Sequence, residues 1–193
     1  MKNVFKAGNG FVLSADIAVP EHDREFRFYS RVLTTGGRPL WQENLLNNLG
    51  LPIIGLGPAS PDYANLPLQW MPHIQVADVA FSVERALALG GKELMHARDD
   101  DGNSQWAVVL DPNGAAFGLV PVVAQDQLPS HDTTSSPGAI GRIAWLDLTV
   151  ADAAATRDFY RKVVGWSADE VEMEDAGEKY ADYTMLGEDG HPT

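Results

Sequence analysis

No cysteine occurs anywhere in the 193 residues. Disulfides, thiolate metal sites and a cysteine nucleophile are therefore excluded. Basic residues are also scarce: 14 Lys and Arg stand against 27 Asp and Glu, a formal net charge of −13. That balance argues against nucleic acid, whose phosphates need cations to displace counterions. It argues equally against an anionic membrane surface. No apolar run approaches the ~20 residues of a helical membrane span. The opening MKNVFKAGNG lacks the apolar core of a signal peptide. These absences together give a cytoplasmic protein with neither nucleic acid nor membrane as partner. Glycine-rich phosphate-binding motifs are missing, so nothing argues for a nucleotide. The histidines, His22, His73, His96, His131 and His191, never fall at HxH or HExxH spacing. A histidine-based zinc site thus has no support from spacing.

What is present is a repeat. Phe11 to Gly37 reads FVLSADIAVPEHDREFRFYSRVLTTGG, and Ile143 to Trp166 reads IAWLDLTVADAAATRDFYRKVVGW. Asp16, Val19, Phe28, Tyr29 and Val32 align without a gap on Asp147, Val150, Phe159, Tyr160 and Val163. A looser copy runs from His73 to Gly91, with Val76 at the place of Val19 and Val150. Each copy is a short apolar strand, a turn and an amphipathic helix, so the chain is built from one strand–helix unit.

In the first copy, Phe11, Leu13, Ala15, Ile17 and Val19 share one strand face; Ser14 and Asp16 lie on the other. Pro20 ends the strand. A helix over 22–33 follows, striped by Phe26, Tyr29, Val32 and Leu33 and stopped by Gly36-Gly37. LWQENLL, LPIIGLG and LPLQW read as a small antiparallel meander. The second helix spans about Asp78 to Leu89, with Asp78 as N-cap, Val79, Val83, Ala86 and Leu87 inward, and Gly90 at its end. Strands at 92–96 and on both sides of the Asp111-Pro112-Asn113-Gly114 turn complete that unit. Residues 124–140 are polar, rich in Ser, Thr and Pro, and read as a linker. The third unit has a strand, a helix over 152–164, the charged segment ADEVEMEDAGEK and a short strand YADYTML. Residues 1–123 are thus one module of two units, and residues 141–193 the first unit of a second, incomplete module. A single unit cannot bury its sheet face alone. It needs further chain, the first module, or a homodimer made through the C-terminal module.

The paired units resemble the glyoxalase/bleomycin-resistance/extradiol-dioxygenase group, the vicinal oxygen chelate superfamily. The residues that carry the resemblance are Asp23 to Tyr29, Asp152 to Tyr160 with Val164-Gly165-Trp166, Ala88 to Lys92, and Asp111 to Phe117. More narrowly the chain is similar to bacterial two-module glyoxalase-like, or hydroxylase-like, proteins. The resemblance implies an α+β fold: paired βαβββ units forming a curled eight-stranded half-barrel, plus a partial second module. It also implies a divalent metal at the floor of the cup, held by His, Gln or Glu and acting as a Lewis acid. The family's ligand places fall here on Ser14, Met71, Gly118 and Trp145. Such side chains do not make a hard divalent site, so no cofactor is expected.

Asp16 and His73 each follow such a place by two residues, and strand alternation should aim both into the same cup. Asp16 would hold His73 as a general base; the plainer alternative is a buried polar pair that satisfies only itself. Trp41, Gln69, Gln105 and Asp147, with Trp70 and Trp106, are candidate ligand contacts, against ordinary strand packing. The acidic loop Asp99 to Asn103 lacks the glycine and terminal carboxylate of an EF-hand. Ser130-His131-Asp132 are sequential, whereas a triad needs spatial neighbours. The expectation is a protein that binds a small organic molecule in the first cup without metal. The alternative is a metal-dependent lyase or dioxygenase whose site lies in further chain or across a subunit boundary.

Overall fold

The computed structural model describes residues 8–32, 44–46, 52–124, 126, 143 and 146–193. Among the described residues, seven strands share one sheet in the order Asn44–Leu46 (β2), Pro52–Pro58 (β3), Val12–Val19 (β1), Met71–Val76 (β4), Ala116–Pro121 (β7), Ser104–Leu110 (β6) and Lys92–Arg98 (β5), and Ser167–Asp175 (β8) with Glu178–Leu186 (β9) forms a second. Two compact units divide the chain. Leu13–His73 belongs to one; Gly8–Val12, Ile74–Val122 and Asp147–Thr193 make up the other.

The first unit is built on β1 (Val12–Val19), α1 (His22–Val32), β2 (Asn44–Leu46) and β3 (Pro52–Pro58). β1 pairs in parallel with β3, and β2 pairs antiparallel with β3. That order repeats in the second unit, where β7 lies beside β4 and then β6 and β5 follow. Apolar alternation in β1 sends Ile17 and Val19 toward Phe26 and Tyr29 of α1, with Leu45, Ile54 and Leu56 completing this core. The His22 ring nitrogen Nε2 donates to the Leu56 carbonyl at 3.1 Å, which pins the start of α1 to β3. The eighth strand expected of the half-barrel, LPLQW at 66–70, is not formed. Leu33, Gly36-Gly37 and the linker stretch 127–140 lie outside the described residues.

β4 (Met71–Val76), α2 (Val79–Ala88), β5 (Lys92–Arg98), β6 (Ser104–Leu110) and β7 (Ala116–Pro121) complete the large sheet. The Asp78 side chain accepts from the Phe81 N–H at 3.0 Å, the N-cap its position predicts. α3 (Ala153–Val164) packs into the same core as α2. Phe159, Tyr160, Val163 and Val164 bury themselves against Val79, Val83, Ala86 and Phe117. Each such side chain contributes roughly 1.5–3 kcal/mol by leaving water. Asp111 organises the β6–β7 turn. It accepts from the N–H groups of Asn113 and Ala115, both at 2.9 Å. The Asn113 side chain then donates to Thr156 Oγ1 of α3 at 3.0 Å, so the Asp-Pro-Asn-Gly turn is also the seat of α3.

The structure corrects four expectations. Leu66 to Trp70 is not a strand: Pro67 has no N–H to give a ladder, and the chain turns there, with Leu66 N–H bonded to the Tyr63 carbonyl. Val32 and Leu87 are exposed, at 54% and 46%, because they sit on the outer edge of each helical stripe. Residues 146–150 make no strand, and Leu146 and Leu148 stay exposed. Finally, the acidic segment is a strand. β8 (Ser167–Asp175) and β9 (Glu178–Leu186) form a long antiparallel hairpin closed by Ala176 and Gly177, both at positive φ. Its carboxylates are all solvated, so their like charges cost little there.

Candidate functional site

Ser14, Asp16, Gly55, Met71 and His73 come together within the first unit. The backbone sets this up. The β1–β3 ladder places Asp16 opposite Gly55. The Gly55 N–H donates to Asp16 Oδ1 at 3.1 Å, and the Ser14 hydroxyl donates to the same oxygen at 2.6 Å. The second carboxylate oxygen, Oδ2, lies 3.4 Å from His73 Nδ1. Nδ1 is also 3.1 Å from the Met71 carbonyl oxygen. A carbonyl only accepts, so Nδ1 carries the proton, and in the neutral ring Nε2 holds the lone pair. The backbone of the histidine's own strand thus fixes its tautomer, and Asp16 holds the ring's orientation. His73 is buried, as are Ser14 and Met71, whereas Asp16 is half-buried.

Gly55 has no side chain because the Asp16 carboxylate occupies that space: a Cβ there would lie inside van der Waals contact of all three carboxylate atoms. The sequence reading passed over Gly55. The signal was available in the repeat, since Ile54-Gly55-Leu56 of β3 matches Phe117-Gly118-Leu119 of β7.

The remaining candidates do not join this cluster. Trp41 and Trp145 lie outside the described residues. Gly118 is buried in β7 opposite Val108. Gln69 sits in the bend before β4, and the Trp70 ring meets Tyr29 edge-on at 5.3 Å. Gln105 is exposed and donates to Asp99 Oδ2 at 3.1 Å, bracing the acidic loop. Trp106 is half-buried on β6, and Asp147 is exposed. Among the described residues, no three His, Asp or Glu side chains converge as a metal site would need. Burial pushes the Tyr29 phenol above its ordinary value, with Glu25 adding to the effect.

Residues 13–120 match the family model of the glyoxalase-like domain. This chain belongs to the glyoxalase-like domain family. The chain is 30% identical over 109 residues to the anthracycline biosynthesis protein DauV of Streptomyces sp. (strain C5), and equally to the anthracycline biosynthesis protein DnrV of Streptomyces peucetius. That match covers 56% of this chain but only 37% of either relative. Among solved structures, a mutant 4-hydroxymandelate synthase from Streptomyces coelicolor aligns with TM-score 0.54 at 14% identity, over 95% of this chain and 61% of that one. A catechol 2,3-dioxygenase aligns with TM-score 0.52 at 14% identity, over 93% and 66%. An extradiol ring-cleaving dioxygenase from B. fuscum gives 0.51 at 16%, over 97% and 53%. These likenesses establish the vicinal-oxygen-chelate fold, including its α+β class, and the fold alone.

Proposed function

We propose that this glyoxalase-like chain binds a small organic molecule beside Ser14, Asp16 and His73, and that His73 Nε2 takes a proton from it. The observation that carries the reading is the bond from His73 Nδ1 to the Met71 carbonyl. A histidine whose one nitrogen is committed to a carbonyl and a carboxylate offers the other as a base. Asp16 does not move the proton. It orients the ring and stabilises the charge that develops on it. The names of the two curated relatives make polycyclic aromatic ketones and phenols the first compounds to test.

The fold family implies a divalent ion, and the residues present do not fit one. The family's ligand places hold Ser14, Met71 and Gly118, and Asp16 Oδ1 already accepts from two donors while Oδ2 lies 3.4 Å from His73 Nδ1. A hard cation wants several free oxygen or imidazole donors in one shell. The proton transfer proposed for His73 therefore needs no metal.

A melting-temperature screen of aromatic ketones and phenols identifies the ligand, since any binder of the folded state raises it. With a ligand in hand, His73→Gln should abolish its turnover and leave binding within a few fold. Equal loss of both would refute the base. Stoichiometric zinc, manganese, iron or nickel in the purified protein would instead favour the metal-dependent lyase or dioxygenase reading.

A further inference from the structure

We propose that Glu93, His96 and Ser104 form a second reactive site, an acyl-transfer triad on the β5–β6 hairpin that cleaves small carboxylic esters. It shares neither residues nor reaction with the site proposed at His73.

Ser130-His131-Asp132 are merely consecutive; these three residues are apart in sequence and joined in space. The Ser104 hydroxyl lies 2.8 Å from His96 Nε2. At the other ring nitrogen, His96 Nδ1 lies 3.0 Å from Glu93 Oε2. A carboxylate only accepts, so the Glu93 contact puts the ring proton on Nδ1. In the neutral ring Nε2 is then free to take the hydroxyl proton. Nucleophile, base and orienting carboxylate stand in the order that acyl transfer needs.

Two irregularities of the hairpin build this arrangement. Residues three apart on a regular strand, as Glu93 and His96 are, point to opposite faces. The register shifts between Glu93 and Met95, which brings both side chains to one face. A second shift, between Ala97 and Arg98, sets Ser104 opposite Arg98 and returns its hydroxyl to that face. Bulges of this kind re-aim side chains beside reactive sites. The His96 side chain is only 5% exposed, so its two bonds are shielded from water and strengthened. Glu93 and Arg98 are exposed and Ser104 is half-buried, which leaves Oγ within reach of a small acyl group.

Arg98 supplies the remaining part. Its Nη1 lies 3.2 Å from Ser104 Oγ, close to where the carbonyl oxygen of an attacked ester gathers charge. Its Nη2 also lies 3.1 Å from His96 Nδ1. That contact favours the opposite tautomer, because arginine only donates and needs an unprotonated Nδ1. An ester carbonyl that takes the guanidinium frees Nδ1 for Glu93, so substrate itself selects the reactive tautomer.

The reaction then runs in two halves. Ser104 Oγ bonds to the ester carbonyl carbon while its proton passes to His96 Nε2. The bond from that carbon to the alcohol oxygen breaks, and His96 gives the proton to the departing alkoxide. Water attacks the acyl-serine next and leaves a proton on Nε2. The acyl–Oγ bond breaks, the carboxylic acid departs, and Ser104 regains its hydrogen from His96.

The test is covalent labelling of the whole chain with diisopropyl fluorophosphate, followed by peptide mass mapping. The wild type should take one adduct, on Ser104, as fluoride leaves. Ser104→Ala should take none. His96→Gln should slow the labelling at least about 100-fold, the lower end of what a general base contributes, with unchanged circular dichroism. Hydrolysis of p-nitrophenyl acetate should fall with it. Should these variants fail to fold, Ser104→Cys gives an independent reading, because the chain has no other thiol. Iodoacetamide should alkylate that variant at least about tenfold faster folded than unfolded in urea, since an imidazole beside a thiol raises its thiolate fraction. A wild type unlabelled at Ser104 would overturn the proposal. So would a labelling rate unchanged in His96→Gln, or a thiol no faster folded than unfolded.

Discussion

Oδ2 of Asp16 stands 3.4 Å from Nδ1 of His73, although 57 residues separate them in the chain. β1 delivers the one and β4 the other, and the Met71 carbonyl beside them decides which ring nitrogen keeps the proton. A structural pair needs only mutual satisfaction. A pair that leaves one imidazole nitrogen unprotonated also has a chemical use.

Gly55 gives a sharp probe of that pair. Gly55→Ala would push the Asp16 carboxylate aside and break its contact with His73. Gly57, two residues along the same strand face, has open space where its Cβ would go. Gly55→Ala should therefore abolish ligand-induced stabilisation or turnover, and Gly57→Ala should leave both within about twofold. Calorimetric titration of the two variants against wild type makes the comparison.

Replacing His73 by Gln should lower turnover of the ligand by about 10²–10⁴-fold, the usual span for losing a general base. The effect should fall on kcat and leave KM nearly unchanged, since the base acts in the transition state and not in ground-state binding. A rise in KM alone would make His73 a binding residue.

Asp111 is buried and accepts from two backbone N–H groups, the Asn113 side chain and the Tyr160 hydroxyl. Asp111→Ala should cost about 3 kcal/mol, because several buried donors lose their acceptor together. Urea unfolding measures it, and the loss should release α3 first, visible as faster hydrogen exchange at 153–164.

The Tyr160 phenol is pushed far above its ordinary value, by burial first and by the Asp111 carboxylate second. A raised value means the folded chain keeps its proton while the unfolded chain ionises. Stability is then intact below the unfolded value of about 10 and falls above it, by about 1.4 kcal/mol per pH unit for this group. Tyr160→Phe should flatten that alkaline slope, read from urea melts between pH 9 and 11.

Periodicity carried most of the fold. The first two strand–helix copies, the helix of the third, the Asp78 cap and the Asp-Pro-Asn-Gly turn all stand where local chemistry puts them. What failed was what depends on neighbours. LPLQW has strand composition, but Pro67 cannot join a ladder. ADEVEMEDAGEK reads only as a charged segment, because an acidic strand is recognisable only once YADYTML is seen to pair with it. Asp16 and His73 were legible from strand alternation. Gly55 was not, since its role is to be absent from the space Asp16 fills.

The most direct test is the protonation of one ring. Histidine-selective 15N spectra, with the His73 signals assigned by loss in His73→Gln, distinguish the two imidazole nitrogens. The expected result is a protonated Nδ1 and an unprotonated Nε2 in the neutral ring, with Nε2 the signal that shifts on ligand binding. A proton on Nε2 would contradict it.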